Sequence, residues 1–304
     1  SYFLTATADT SAVITAGRPV RGGRRLPLTW IGVVPFLAYI GLFLLLPTVI
    51  VIAGAFVDKN GNVNPSELQT LTQQFVVKAY VQSVLLSLVS ALGGAVAGAI
   101  LAYMIVLGNP QGLLRRTVTS AAGVLAQFGG VTLAFAFVAT IGGAGFLTVF
   151  LQDRGINIYP NGIWLYDLPG LVVVYLYFQI PLMVLVFLPA LDGVRPQWRE
   201  ATESLGGNAW HYWRYVAGPL LFPAFLGATL RLFANAFSAY ATAAALINQG
   251  NPIVPLAIGG LIQSEVGLSD PGQAKALALG MVVIVAIVMV SYSLLQRRTA
   301  RWLQ

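Results

Sequence analysis

Charged side chains are scarce in this sequence and concentrate in residues 192–219. Only 9% of the residues are charged. The segment nevertheless holds Asp192 and several more charged side chains, together with the only histidine: Arg195, Arg199, Glu200, Glu203, Arg214 and His211. Such a segment cannot lie in hydrocarbon, so it must face water or a protein. One histidine and ten scattered carboxylates leave little for catalysis, and the chemistry indicated is that of recognition.

The pattern within this segment predicts two short helices joined by a turn. Pro196 suits the first position of a helix, which Gly206-Gly207 would end. The apolar positions of that helix recur at helical spacing: Trp198, Ala201 and Leu205. Asn208 can cap a second short helix over residues 209–216. That helix carries three large aromatic side chains: Trp210, Trp213 and Tyr215. Aromatic residues flanked by arginines on such an elbow indicate a docking surface for a cytoplasmic partner, and the alternative is an ordinary amphipathic loop.

The same residues resemble the EAA motif of bacterial ABC importer permeases, Glu-Ala-Ala-x3-Gly-x9-Ile-x-Leu-Pro. Here the motif reads Glu200-Ala201-Thr202, three residues, Gly206, nine residues and Val216-Ala217-Gly218-Pro219. Thr202 replaces the second alanine and Gly218 replaces the leucine. In that family the loop is a coupling helix that inserts into a groove of the ATPase subunit. The resemblance implies this coupling role for seven residues: Arg199, Glu200, Ala201, Glu203, Gly206, Trp210 and Pro219.

Nothing in the sequence predicts catalysis or nucleotide binding by this chain. It has no cysteine, and it lacks the phosphate-cradling motif GxxxxGK[ST]. We therefore predict a subunit that is not an enzyme and binds no metal or cofactor. The resemblance implies that ATP and magnesium bind to a partner ATPase. An intramembrane enzyme is disfavoured because His211 lies in the coupling segment, with no serine or carboxylate partner in a span.

Polar residues inside the apolar segments are candidates for a translocation pathway. Arg231 lies about twelve residues into the apolar segment that begins at residue 220, the fifth of the chain. At that depth a charge should face the bundle interior or a water-filled path. Asn235, Ser238 and Thr242 follow at helical spacing, and Tyr240 lies nearby. Three more candidates come from the third and fourth segments: Gln127, Thr132 and Gln179. The alternatives are helix-packing hydrogen bonds for these side chains, or an Arg231 side chain that reaches the cytoplasmic interface.

The elements that position these residues are predicted to be about six membrane-spanning helices. Hydrophobic residues make up 57% of the chain, and each span needs roughly 20 apolar residues. The spans are predicted at 30–56, 80–107, 120–141, 168–191, 220–248 and 276–295. Glycine and serine residues in the second span predict a central, tightly packed helix. Residues 253–262 are apolar enough to form a short helix that dips back into the membrane.

The distribution of cations predicts the orientation of these spans. Twelve of the 17 arginines and lysines lie in segments assigned to the inside, four lie outside and Arg231 lies within a span. The positive-inside rule then places both termini in the cytoplasm. Residues 1–27 are predicted to be a basic cytoplasmic tail, a candidate for contact with anionic lipid, and residues 28–304 the permease domain. The net charge of +7 is thus a topology signal, and nucleic-acid binding is a poor explanation for it.

The family resemblance implies an assembly in the bacterial inner membrane. The all-α chain, with the type I ABC importer permease fold, would pair with a second permease or a copy of itself. An ATPase dimer and an extracytoplasmic solute-binding protein would complete it. Residues 230–246, LRLFANAFSAYATAAAL, are more similar to the polyamine, phosphonate and iron branch than to the sugar branch. A polyamine is the expected substrate, with a sugar, phosphonate, iron or sulfate-like anion as alternatives. A secondary transporter driven by an ion gradient is disfavoured, because no carboxylate lies inside a span.

Overall fold

The computed structural model describes residues 29–56, 69, 71–109, 112–247, 253–263 and 271–300, and within these ranges all regular structure is helical. The chain divides into two compact units, residues 1–49 and 50–304. The first helical stretch consists of α1 (Thr29–Ile40), a π-helical turn (Gly41–Leu45) and α2 (Leu46–Gly54). The predicted tail, residues 1–27, lies outside the described ranges, as do both termini, so their cytoplasmic location stays a prediction.

The remaining helices follow in chain order. Together with the first helical stretch they provide six segments that are long and apolar enough to cross a membrane. The helices are α3 (Gln74–Leu107), α4 (Leu113–Leu125), α5 (Gly130–Ile141), α6 (Phe146–Gln152), α7 (Leu168–Asp192), α8 (Pro196–Ser204), α9 (Ala209–Tyr212), α10 (Gly218–Ser238), α11 (Ala241–Leu246), α12 (Val254–Ile262) and α13 (Pro271–Ala300). The candidate spans are Val33–Gly54, Gln74–Leu107, Gly130–Gln152, Leu168–Asp192, Ala209–Ser238 and Gly272–Leu295. The predicted number of six spans is confirmed.

Helices α3 and α7 form the close-packed centre of the second unit. The small residues of α3 on this side are buried: Ser83, Ser87, Ser90, Gly94 and Gly98. A Cβ added at Gly98 would lie 2.5 Å from the Met183 Cβ and 2.7 Å from the Ile180 carbonyl oxygen. Only a residue without a side chain allows this backbone approach, which in lipid replaces the hydrophobic force between helices. The prediction that the second span is central and tightly packed is confirmed.

The third apolar region, residues 118–151, is too long and glycine-rich for one straight helix, and it is broken after residue 141 as this predicts. The span predicted at residues 120–141 is nevertheless wrong in its bounds, because a further break precedes Gly130. Helix α4 ends at Leu125, the chain turns through residues 126–129, and α5 begins at Gly130 with φ of +73°. A second interruption at residues 142–145 separates α5 from α6. Glycine at each interruption explains the difference, because its backbone can turn where an apolar side chain would continue the helix. The candidate span here is Gly130–Gln152.

The fifth span also differs from its prediction at 220–248. Its helix begins eleven residues earlier, at Ala209, and passes through a π-helical turn at Trp213–Ala217 into α10. The helix then ends at Ser238, and α11 begins at Ala241. The expectation that residues 209–216 form a separate short helix is therefore wrong. Pro219 lies in the first turn of α10, directly after the π-helical turn. Proline has no N–H group, and it is tolerated here because the π turn has already changed the regular hydrogen bonding of the helix.

Helix α12 is the short helix that the apolar sequence of residues 253–262 predicts, and its dip into the membrane stays a prediction. It contacts both α3 and α13. The Ser83 hydroxyl accepts a hydrogen bond from the Val254 N–H group at 2.8 Å, which satisfies one of the free donors at the start of α12. The Tyr80 hydroxyl donates to the Leu277 carbonyl at 2.6 Å and links α3 to α13. These bonds anchor the short helix beside two spans.

Candidate functional site

The predicted elbow after α7 is present, and its first helix ends in a Schellman motif. Pro196 lies in the first turn of α8, as its sequence position predicts. Gly206 has φ of +77° and donates to the Glu203 carbonyl at 3.0 Å. Gly207 donates to the Thr202 carbonyl at 2.9 Å, and a Cβ at Gly207 would lie 2.7 Å from the Thr202 Cγ2 atom. Gly206 therefore supplies the left-handed conformation and Gly207 the space.

A reciprocal cap fixes the second half of the elbow. The Asn208 side-chain oxygen accepts from the His211 N–H group at 3.1 Å. The His211 Nδ1 atom accepts in turn from the Asn208 N–H group at 3.3 Å. This is a capping box in which histidine replaces the usual glutamate or glutamine. The only histidine of the chain therefore has a structural role in the turn.

Removal of this cap should loosen the elbow without unfolding the bundle. We expect Asn208→Ala to destabilise the start of α9 by about 1 kcal/mol, because the N–H groups at the helix start lose their acceptor. Hydrogen exchange of residues 208–212, followed by mass spectrometry, should become about fivefold faster. Asn157→Ala is the matched control, because Asn157 accepts from the Tyr159 N–H group at 2.9 Å in a different loop. Unchanged exchange at residues 208–212 in Asn208→Ala would contradict this assignment.

The elbow presents large apolar side chains to its surroundings. Leu205 is 89% exposed, Trp210 68% and Tyr215 70%. Six of the seven predicted coupling residues lie before α10, and all six are exposed: Arg199, Glu200, Ala201, Glu203, Gly206 and Trp210. Pro219, in α10, is exposed as well. The structure thus brings the predicted coupling residues to one continuous loop and leaves them available for contact.

One charge pair lies within the elbow, and another joins the end of α7 to α4. Arg199 Nε donates to Glu203 Oε1 at 3.0 Å within α8, and this hydrogen bond raises the pKa of Arg199. Arg115 of α4 forms an ion pair with Asp192 at the end of α7. The two segments joined by this pair are both predicted to lie on the cytoplasmic side of the membrane. The pair places them at the same end of the bundle. It connects the start of the elbow to a neighbouring helix.

A pocket separates the elbow from the ends of α3 and α7. Its volume is about 270 Å³, and Arg199 lies on its wall together with Tyr103, Tyr212 and Trp213. The Tyr103 and Trp213 rings meet edge to face, with their centroids 5.2 Å apart. The elbow is thus supported by aromatic contacts at one point and leaves a space beside them.

The pathway candidates on α10 share one exposed face. Arg231, Asn235 and Ser238 are exposed and recur at helical spacing, with buried residues between them. The Ser238 hydroxyl donates to the Ala234 carbonyl at 2.9 Å. Tyr240 lies just beyond the end of α10, and a Cβ added at Gly259 of α12 would lie 3.0 Å from its ring. Arg231, Asn235 and Ser238 form the polar face of α10, and Tyr240 lies beyond its end.

Gln179 is placed differently from the other candidates. Its side chain is fully buried in α7. The Nε2 atom donates to the Leu232 carbonyl at 2.8 Å, and Asn235 Nδ2 donates to the Oε1 atom at 3.4 Å. The amide of Gln179 is therefore used in the contact between α7 and α10, and in this chain it does not reach the exposed face. Its side-chain oxygen holds the amide of Asn235 from the buried side of α10.

Gln127 and Thr132 flank the interruption between α4 and α5, and both are exposed. The Gly130 N–H group donates to the Thr242 hydroxyl oxygen at 2.8 Å, which joins this interruption to α11. The Tyr175 hydroxyl, from α7, donates to the Ala239 carbonyl at 2.9 Å. The two interrupted helices therefore meet, and side chains bond backbone groups that the breaks release.

Tyr175 and Thr242 bond the backbone at the interruptions, a role that the sequence does not predict: its pattern places Thr242 on the polar stripe after Arg231 and leaves Tyr175 as one of two possible cavity residues. Tyr175 is buried and Thr242 is 3% exposed. Their roles depend on where α10 and α5 are interrupted, and apolar sequences alone do not locate those positions. Gly129 and Gly130 are among the glycines that predict a break in the third apolar region, but glycine content alone does not give its position.

Comparison with known proteins gives a consistent family. The model of the family "Binding-protein-dependent transport system inner membrane component" matches residues 144–303, slightly more than half of the chain. A probable sulfate transport system permease protein of Marchantia polymorpha is 27% identical over 222 residues, covering 71% of this chain and 72% of that protein. The thiamine transport system permease protein ThiP of Escherichia coli K12 is 27% identical over 167 residues, which are 53% of this chain and only 29% of ThiP.

Solved structures agree in fold. A bacterial ABC transporter that imports the acidic polysaccharide alginate has a TM-score of 0.64 at 17% identity, covering 90% of this chain and 95% of that chain. The MetNI methionine ABC transporter has a TM-score of 0.54 at 14% identity, covering 73% of this chain and 95% of that chain. These identities show the fold alone. Together with six candidate spans and the family match, they identify the chain as a member of the binding-protein-dependent transport system inner membrane component family, a multi-pass permease subunit of an ABC importer.

Proposed function

We propose that residues 192–219 couple this permease to a separate ATPase subunit. The observation that carries the proposal is a turn fixed by a Schellman motif and a capping box, which leaves Leu205, Trp210 and Tyr215 exposed. A fixed loop transmits force, and exposed aromatic side chains suit the centre of an interface. ATP and magnesium would bind to that partner, and no catalytic step is proposed for this chain.

The proposed assembly contains this chain, a second permease or a second copy, two ATPases and an extracytoplasmic solute-binding protein. Support comes from the family, whose description names binding-protein dependence. A second structure of the alginate transporter contains an alginate-bound periplasmic protein. This support concerns relatives, and co-purification of this chain is the direct test.

The proposed translocation pathway runs along the polar face of α10. It passes the two helix interruptions, where Gln127 and Thr132 are exposed. Interrupted helices inside a membrane require backbone groups to be satisfied, and they occur where the chain lines a cavity or is covered by protein. Gln179 is proposed to position Asn235 and not to contact the solute.

The substrate is proposed to be a small polar or charged solute. The named relatives transport sulfate, an anion, and thiamine, which carries a positive charge, and the solved neighbour imports alginate, an acidic polysaccharide. These solutes differ in charge, so the relatives do not indicate one substrate for this chain. The polyamine expectation stays a prediction.

Capture of the tagged full-length chain from mild detergent tests the coupling proposal. We expect mass spectrometry to find an ATPase that contains GxxxxGK[ST]. Trp210→Ala should reduce its recovery several-fold, because an exposed indole at an interface centre contributes strongly to binding. Phe146→Ala is the matched control, since Phe146 is 78% exposed on α6, which lies in the third candidate span and outside residues 192–219. Recovery of the chain alone, even after crosslinking, would overturn the proposal.

A further inference from the structure

Arg231 lies at the middle depth of the bundle. Gln179 is the twelfth residue of the 25-residue α7, and its amide bonds the carbonyl of Leu232, the residue after Arg231. Twelve residues of helix span about 18 Å, so this level is remote from both ends of α7. A charged side chain at such a depth is costly unless it faces water or a counter-charge.

The described part of this chain offers no counter-charge to Arg231. Its guanidinium forms no ion pair or hydrogen bond with any residue in the described ranges. The described carboxylates lie in the elbow or at helix ends: Asp153, Asp167, Asp192, Glu200 and Glu203. The other five acidic residues of the sequence lie outside the six candidate spans. A second copy of this chain would therefore bring no carboxylate from the interior of a candidate span.

The neighbouring groups complete a site suited to negative charge. Asn235 is one turn from Arg231 on the same exposed face, and Ser238 is almost two turns away. A guanidinium presents five N–H donors in a planar fork, which matches the oxygens of a carboxylate or an oxyanion. A polycation on the same face would meet a like charge.

We infer that Arg231 is the counter-charge for an anionic solute, a small oxyanion or carboxylate, as it passes through this permease. The inference rests on the proposed translocation pathway. When the pathway opens, the solute supplies the negative charge that the chain lacks, and Asn235 orients it by hydrogen bonding. The polar face of α10 then favours anions over polyamines.

The absence of cysteine makes a charge-sensitive labelling experiment possible. Ser238→Cys is introduced into the full chain, which is purified with its partner subunits in nanodiscs. The reaction rate of the introduced thiol is measured with two methanethiosulfonate reagents. One is the anionic sulfonatoethyl reagent, and the other is the cationic trimethylammonioethyl reagent. Both rates are normalised to Asn161→Cys, an exposed position in the loop before α7. We expect Arg231→Gln to lower the normalised anion-to-cation rate ratio about tenfold, because the two residues are separated by about 10 Å. Arg231→Lys should preserve the ratio.

The outcomes distinguish failure of the anion inference from failure of the proposed translocation pathway. If neither reagent modifies Ser238→Cys, the polar face of α10 is not in water, and both the pathway and the anion inference fall. If both reagents react and Arg231→Gln leaves the ratio unchanged, the pathway stands and the anion inference falls. The second result is also the one expected if a carboxylate of a different permease subunit neutralises Arg231.

Discussion

Gly206→Pro should uncouple this permease from its ATPase while leaving the spans inserted. Gly206 has φ of +77°, and its N–H group bonds the Glu203 carbonyl. Proline fixes φ near −65° and has no N–H group, so it removes both features of the Schellman motif. The elbow would then change direction, and we expect recovery of the ATPase with the captured chain to fall about tenfold or more.

Two further variants sharpen this test. Gly206→Ala keeps the N–H group and loses only the left-handed conformation, at about 1–2 kcal/mol, so its effect should be intermediate. Gly123→Ala is the matched control, because Gly123 lies within α4 and a Cβ there meets nothing within 4 Å. Glu200→Ala should leave the elbow folded and reduce only ATPase-driven transport. Normal ATPase recovery with Gly206→Pro would remove residues 192–219 from the coupling role.

Gly98→Leu should have the largest effect on the stability of the bundle. A Cβ at Gly98 already lies 2.5 Å from the Met183 Cβ and 2.7 Å from a backbone oxygen of α7. The backbone oxygen cannot rotate away, so α3 and α7 would have to separate along their shared core. We expect a loss of roughly 3 kcal/mol and a lower Tm by tryptophan fluorescence of the purified chain.

The control for this variant places the same side chain where the bundle has room. Gly260 lies in α12, and a Cβ there meets nothing within 4 Å. Gly260→Leu should therefore leave the Tm nearly unchanged. Equal effects of the two substitutions would show that leucine in a helix, and not the approach of α3 to α7, is responsible.

Much of the coupling loop was predictable because its signals are local. Pro196 at the start of α8, Gly206 after its end and Asn208 at the next cap each act within a few residues of backbone. The small-residue side of α3 was equally readable, since glycine and serine at helical spacing have few uses in lipid besides close packing. The number of spans followed from apolar length alone.

Sequence determined which segments enter the membrane, and tertiary structure decided where they break and what those breaks contact. In lipid, residues facing the core and residues facing hydrocarbon are both apolar, so periodicity does not reveal which neighbour a helix will meet. The interruptions at 126–129 and after Ser238 are held by the Gly130–Thr242 and Tyr175–Ala239 bonds. These bonds join residues 112 and 64 positions apart. Partners so distant in sequence are brought together only by the packing of α7, α5 and α11, and this is why the bounds predicted for the third and fifth spans are wrong while the local turn signals of the elbow are confirmed.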